Sequence, residues 1–171
     1  AALFITRGDV AASLIGGTTA TFASGTSNGG STDPVTTTPN NYGWNTTTYA
    51  AQNTQNGERG VQFNVSTVGF SNIVVSWDQR ASNTSSRYFQ FQYTLDRTIA
   101  TPTWVAFGGQ TINGVDGVIV LNAGDTWFNN NSVNLSSILG ANENPNFAFR
   151  IVAIFDPNTG TGYAAASTSY A

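Results

Sequence analysis

The chain has 171 residues, a formal net charge of −3 and only 9% charged residues, and it contains no Lys, His, Cys or Met. This length suits one domain, residues 1–171. The missing residue types exclude a Ser-His-Asp triad, an imidazole or thiolate metal site, a disulfide and a lysine Schiff base. The absence of a basic run argues against nucleic-acid binding, and no apolar run is long enough for a membrane span.

The first part of the chain predicts short strands. Ala1–Thr6 is an apolar strand, and the turn Arg7–Asp9 follows it. Two alanines before an apolar run suit a mature end left by signal peptidase, which favours a secreted bacterial protein. Gly16-Gly17 separates Ala11–Ile15 from Thr18–Ala23 and predicts a β-hairpin.

A group of aromatic residues follows the long polar stretch Ser24–Asn41. Tyr42, Trp44 and Tyr49 stand among Asn, Thr and Gly, and Trp127 stands in similar surroundings. Ring faces stack on sugars and amides bind hydroxyls, so these four residues predict a carbohydrate-binding site. The alternative is that the rings close an open end of the core, because aromatic side chains bury large areas.

Gly60–Leu95 has the strongest pattern in the sequence. Apolar and polar residues alternate with a period of two around Phe63, Trp77 and Phe91. This period predicts β-strands with one buried and one wet face. We expect three strands of one antiparallel sheet here.

The last strong strand is Asn146–Phe155. Both of its faces are apolar except at Arg150, so we expect it at the centre of a sheet, with Arg150 paired to an acid such as Asp78. Val133–Ile138 suits a short helical turn or an edge segment. Nine to eleven short strands without a helical period predict an all-β fold, an antiparallel β-sandwich that is jelly-roll-like.

The acidic residues mark no catalytic pair, so we expect no enzyme activity. We expect no cofactor, with calcium as an open alternative because hard cations bind oxygen ligands. The candidate oxygens belong to Asp116, Asp125 and the turn Asp156–Gly160.

Three blocks of sequence, Ser13–Thr26, Gly60–Asp96 and Asn144–Ala166, with Asp125–Phe128 before the last, carry a family resemblance. Together they resemble a jelly-roll-like module of secreted bacterial proteins, seen in PEP-CTERM-sorted proteins and ahead of extracellular endonuclease/phosphatase-like domains. The resemblance implies an extracellular or cell-surface, non-catalytic β-sandwich with a role in adhesion, matrix or carbohydrate binding. It supplies no catalytic residues.

One departure from that pattern suggests self-assembly. Such modules continue into another strand where this chain stops at Ala171, and an apolar segment precedes the family-like part. An unpaired apolar sheet edge favours strand addition. We therefore expect a structural or adhesive protein, the subunit of a fibre in which Ala1–Val10 of one copy, through Leu3, Phe4 and Ile5, completes the sheet of the next. The alternatives are that this segment pairs within its own sheet, and that the protein is a carbohydrate-binding module.

Overall fold

The computed structural model describes residues 10–23, 33 and 43–165. This part of the chain is all-β, and its one helical element is a 3₁₀ turn, Leu139–Ala141. None of its helices has the length and apolar character to cross a membrane. The strands are β1 Val10–Ile15, β2 Thr19–Ala23, β3 Gly43–Thr47, β4 Gly60–Val65, β5 Val74–Ala81, β6 Tyr88–Thr94, β7 Val105–Ala106, β8 Gln110–Ile112, β9 Val115–Val120, β10 Thr126–Asn134 and β11 Ala148–Ala153.

The strands form two layers. The first is a seven-stranded sheet in the order β1-β4-β11-β6-β9-β8, with β7 paired to β6. The second consists of two separate two-stranded sheets, β10-β5 and β2-β3. All the strand pairings between named strands are antiparallel. The predicted all-β, antiparallel sandwich is therefore confirmed, while the jelly-roll connectivity stays a prediction.

A continuous run of aromatic rings joins the layers. The Trp44 ring of β3 stacks on Phe63 of β4 at 6.4 Å between centroids, and Phe63 stacks on Phe149 of β11 at 4.9 Å. Phe149 lies 5.5 Å from Phe91 of β6, which stacks on Trp77 of β5 at 6.0 Å. The large sheet thus supplies the middle of the run, and each small sheet contributes one end.

The alternating pattern of Gly60–Leu95 predicted the strands and their buried faces. Phe63, Val75, Trp77 and Phe91 are all buried. The expectation that the three strands share one sheet is wrong: β4 and β6 both pair with β11 in the large sheet, whereas β5 pairs with β10 in the facing layer. Alternation shows which side of a strand is buried. It does not show which layer the strand belongs to, because strands of both facing layers turn their apolar side to the same core.

The predicted hairpin at Gly16-Gly17 is also wrong. The turn itself forms, since the Thr18 backbone N–H donates to the Ile15 carbonyl at 3.1 Å, and both glycines have positive φ. The strands on either side do not pair with each other, because β1 pairs with β4 and β2 pairs with β3. The turn therefore carries the chain from one layer to the other.

The central position predicted for Asn146–Phe155 is confirmed, because β11 lies between β4 and β6. The predicted pairing of Arg150 with Asp78 is wrong. Arg150 Nε donates to Gln92 Oε1, and Asp78 Oδ1 accepts from the Asn130 backbone N–H in the other layer. The two side chains belong to different layers of the sandwich, which sequence spacing does not reveal.

Candidate functional site

The most distinctive feature of the surface is a cleft between β3 and β5. Within the described ranges, β3 pairs only with β2 and β5 pairs only with β10, so the second layer is open between them. The cleft has a volume of about 290 Å³. Its floor is the inner face of the large sheet, at β4, β11 and β6.

Apolar and aromatic side chains line most of this cleft. Those of the floor are Val61, Phe63, Phe89, Phe149 and Ile151, and the larger rings of the walls are Trp44, Tyr49, Trp77 and Trp127. Sandwich interiors normally fill such space with side chains from both sheets. Here the described strands of the second layer leave part of that interior open.

Three of the four aromatic residues predicted to bind carbohydrate come together at this cleft. Trp44 lays its ring on Phe63, with 21° between the planes, and Tyr49 points its ring edge-on at Phe89. Burial raises the pKa of Tyr49, whose hydroxyl is hydrogen-bonded to Thr46 at 2.9 Å. These rings face the sandwich interior, whereas a sugar-stacking platform presents rings to solvent. Their role in carbohydrate binding stays a prediction.

Trp127 has an unusual hydrogen-bonding state. Its ring lines the cleft, and its indole Nε1–H is buried without an acceptor among the described residues. A buried polar group in a native protein nearly always has a partner, so each exception needs a physical explanation. A ligand that brought a carbonyl oxygen into the cleft would supply an acceptor for this indole N–H.

The rim of the cleft on the β5 side is polar. Arg80 Nη2 lies 3.1 Å from Asp125 Oδ1, and Asn83 Nδ2 donates to the other oxygen of that carboxylate at 2.7 Å. Gln79, Ser82 and Ser85 complete this rim. The cleft therefore combines an apolar floor with hydrogen-bonding groups at its edge.

The remaining predicted site residues, Leu3, Phe4, Ile5 and Tyr42, lie outside the described residues. Of the predicted exchanging segment, residues 1–10, only Val10 is described, and it pairs with Val65 of its own chain. The part left as a donor is residues 1–9.

The carboxylates considered for calcium are separately engaged. Asp116 Oδ1 accepts from the Thr111 hydroxyl, Asp125 binds Arg80 and Asn83, and Asp156 Oδ1 accepts from Asn158. Across residues 10–23, 33 and 43–165, no three acidic, His or Cys side chains are grouped to hold a metal ion. Calcium binding stays a prediction.

Sequence reasoning missed the floor of the cleft. Phe63, Phe149 and Ile151 have the signature of ordinary core positions, and they are core residues. They line a cleft only because β3 and β5 do not pair. Strand pairing of this kind leaves no signal in the alternation of one segment.

Comparisons of the chain with protein-family models, with curated proteins and with solved structures found no match in any of the three.

Proposed function

We propose that this protein is an extracellular structural or adhesive subunit of bacteria that assembles by strand exchange. The observation that carries the proposal is the open cleft between β3 and β5 over an aromatic floor. In the assembly, the segment Ala1–Thr6 of one copy lies in the cleft of the next. Such a contact is heterologous, so it builds a filament unless the rotation closes a ring.

Backbone pairing is the first support. The facing edges of β3 and β5 have no strand partner in the described part of the chain. A strand between them would bond to both edges and join the small sheets into one layer of five strands, β2-β3-donor-β5-β10. Strand addition of this kind derives its affinity from main-chain hydrogen bonds and its specificity from alternate side chains.

The fit of side chains is the second support. A dry cavity of about 150 Å³ holds a benzene-sized group, and this cleft is about 290 Å³. It has room for about two large apolar side chains. Successive side chains of a strand point to opposite faces, so Leu3 and Ile5 share one face and Phe4 lies on the other. Leu3 and Ile5 are the pair that enters the cleft.

The reach of residues 1–9 is the third support. At about 3.3 Å per residue, these nine residues span roughly 30 Å when extended. Ala1–Thr6 supplies the strand and Arg7–Asp9 supplies the connection to β1. A donor carbonyl in the cleft would also give the Trp127 indole N–H an acceptor, which it does not find among residues 10–23, 33 and 43–165.

Composition supports association of copies through an exposed sheet edge. The chain lacks Lys, the residue that most often blunts exposed sheet edges against association, and it lacks Cys, so its stability depends on packing. A surface of Thr, Ser, Asn, Gln and Gly with few charges is suited to close subunit packing. Copies of the chain itself are the proposed partners.

Deleting Ala1–Thr6 tests the proposal on the donor side. We expect the full chain to form filaments with a regular subunit repeat in electron micrographs, and the shortened chain to be monomeric by light scattering.

Val61→Trp tests the acceptor side, because a large ring on the cleft floor occupies the space of the donor. Val61→Ala is the matched control and should still assemble.

Two results would contradict strand exchange. One is assembly that persists unchanged after the deletion. The other is a full chain that is monomeric and loses thermal stability on deletion, since this would mean that the segment fills the cleft of its own chain.

A further inference from the structure

A second groove lies on the opposite face of the large sheet, beside a second, smaller cluster of buried residues formed by Val118, Val152 and Ile154. Gln62 of β4, Arg150 of β11 and Gln92 of β6 stand directly opposite one another in register and form a polar row across the three central strands. A groove of about 380 Å³ adjoins this row, and Glu58, Gln90, Gln92 and Arg150 are among its lining residues. This volume falls within the range of small-molecule sites, roughly 300–1,000 Å³.

A chain of hydrogen bonds fixes the side chains of this groove. Gln90 Nε2 donates to the Asp116 carbonyl at 2.7 Å, and Gln92 Nε2 donates to Gln90 Oε1 at 2.5 Å. Arg150 Nε then donates to Gln92 Oε1 at 2.5 Å. Each amide is held in one orientation, because its oxygen accepts from the next group in the chain. The guanidinium at the end is therefore preorganised.

The Trp104 ring packs against the Arg150 guanidinium. The Arg150 Cζ atom lies 4.3 Å from the centroid of the Trp104 ring. Burial lowers the pKa of Arg150 to about 10, and the charge of Glu58 partly offsets this. Arg150 forms no ion pair within the described residues, and its two Nη groups have no hydrogen-bond partner there. The Nη groups of a guanidinium that is fixed in position are thus available to donate hydrogen bonds to a ligand.

We propose that this groove binds a neutral sugar chain, with Arg150 and Glu58 as the two groups that recognise its hydroxyls. Neighbouring sugar hydroxyls can accept from the Arg150 Nη groups and donate to the Glu58 carboxylate. Arg offers only hydrogen-bond donors and an ionised Glu offers only acceptors. Together the two side chains can therefore bind sugar hydroxyls both as acceptors and as donors. This site is separate from the cleft between β3 and β5 and does not depend on strand exchange.

The charges of the groove favour a neutral ligand over an acidic one. Glu58 and Arg150 lie on the same groove, so their charges balance locally, and the whole chain has a net charge of −3. A carboxylated sugar would gain the bidentate contact with Arg150 but would be repelled by Glu58. A neutral sugar uses both side chains without that penalty.

The test is a titration of ¹⁵N-labelled protein lacking Ala1–Thr6 with cellohexaose, maltohexaose and xylohexaose, and with trigalacturonate as the acidic probe. The deletion is expected to give the monomer that solution NMR needs, and dispersed amide signals of the shortened chain are the condition for the titration. We expect at least one neutral hexasaccharide to shift the Trp104 indole and the Gln90 and Gln92 side-chain amide signals. Arg150→Lys and Glu58→Gln should each weaken this binding roughly tenfold, the effect of losing a charge-assisted hydrogen bond.

Arg97→Lys is the matched control, since it makes the same replacement at an arginine that lines neither groove and donates to the carbonyls of Pro145 and Phe147. It should leave sugar binding unchanged. The dispersion of the other amide signals shows whether each variant keeps its fold. The proposal is overturned if no neutral sugar binds, if only trigalacturonate binds, or if Arg97→Lys weakens binding while Arg150→Lys and Glu58→Gln do not.

Discussion

Replacing Phe91 with alanine will lower the free energy of unfolding by about 3–5 kcal/mol, in the range for large-to-small changes in a packed core. Phe91 is fully buried, with 0% exposure, and its ring lies between Trp77 and Phe149. It is the link of the aromatic run that connects β5 to the large sheet. The loss therefore includes both the transfer of the ring and a cavity between the layers. Urea unfolding of the chain lacking Ala1–Thr6 measures it without a contribution from assembly.

Leu139→Ala is the control for this experiment. Leu139 is 79% exposed and is expected to change stability by less than about 0.5 kcal/mol, as surface substitutions do. If Phe91→Ala lost less than about 1 kcal/mol, the ring would not join the two layers as described.

A negative charge at Leu3 or Ile5 will reduce assembly far more than the same charge at Phe4. Leu3→Asp, Phe4→Asp and Ile5→Asp each add one carboxylate to the donor segment, so each changes the net charge of the chain by the same amount. An unpaired carboxylate placed against the apolar floor of the cleft costs several kcal/mol. About 4 kcal/mol corresponds to a factor of about a thousand in the association constant.

The critical concentration for assembly, measured by light scattering, reports this difference. Leu3→Asp and Ile5→Asp are expected to raise it by about that factor, whereas Phe4→Asp should raise it much less. Equal effects at all three positions would mean that the segment does not associate as a strand with one face in the cleft.

The sequence predicted the strands better than their partners. Alternation identified β4, β5, β6 and β11, because a period of two reports directly which side of a strand is buried. It could not show that β5 leaves its neighbours for the other layer, since both layers bury one face against the same core. The two glycines at 16–17 likewise predicted a turn but not that the flanking strands would diverge.

The candidate sites were partly visible in the sequence. Trp44, Tyr49 and Trp127 stood out as aromatic residues in polar surroundings, and they do meet at one cleft. The cleft itself could not be predicted, because it results from a pairing that β3 and β5 do not make. The sequence shows Arg150 as a charge in an apolar strand, but its partners come from β6 and from Trp104, which sequence distance does not indicate.

The most direct test of strand exchange is a cross-link between two different copies of the chain. The protein contains no cysteine, so each introduced thiol is unique. Ile5→Cys places one thiol on the donor segment, and Gln79→Cys places another at the cleft, where β5 lines it. The two single variants are mixed, allowed to assemble and treated with a short bis-maleimide, and the products are separated under denaturing conditions.

The account predicts a covalent dimer that joins Ile5→Cys of one chain to Gln79→Cys of another, and little product when Leu139→Cys replaces Gln79→Cys. It would be contradicted if the mixed variants gave no such dimer while a chain carrying both Ile5→Cys and Gln79→Cys cross-linked within itself.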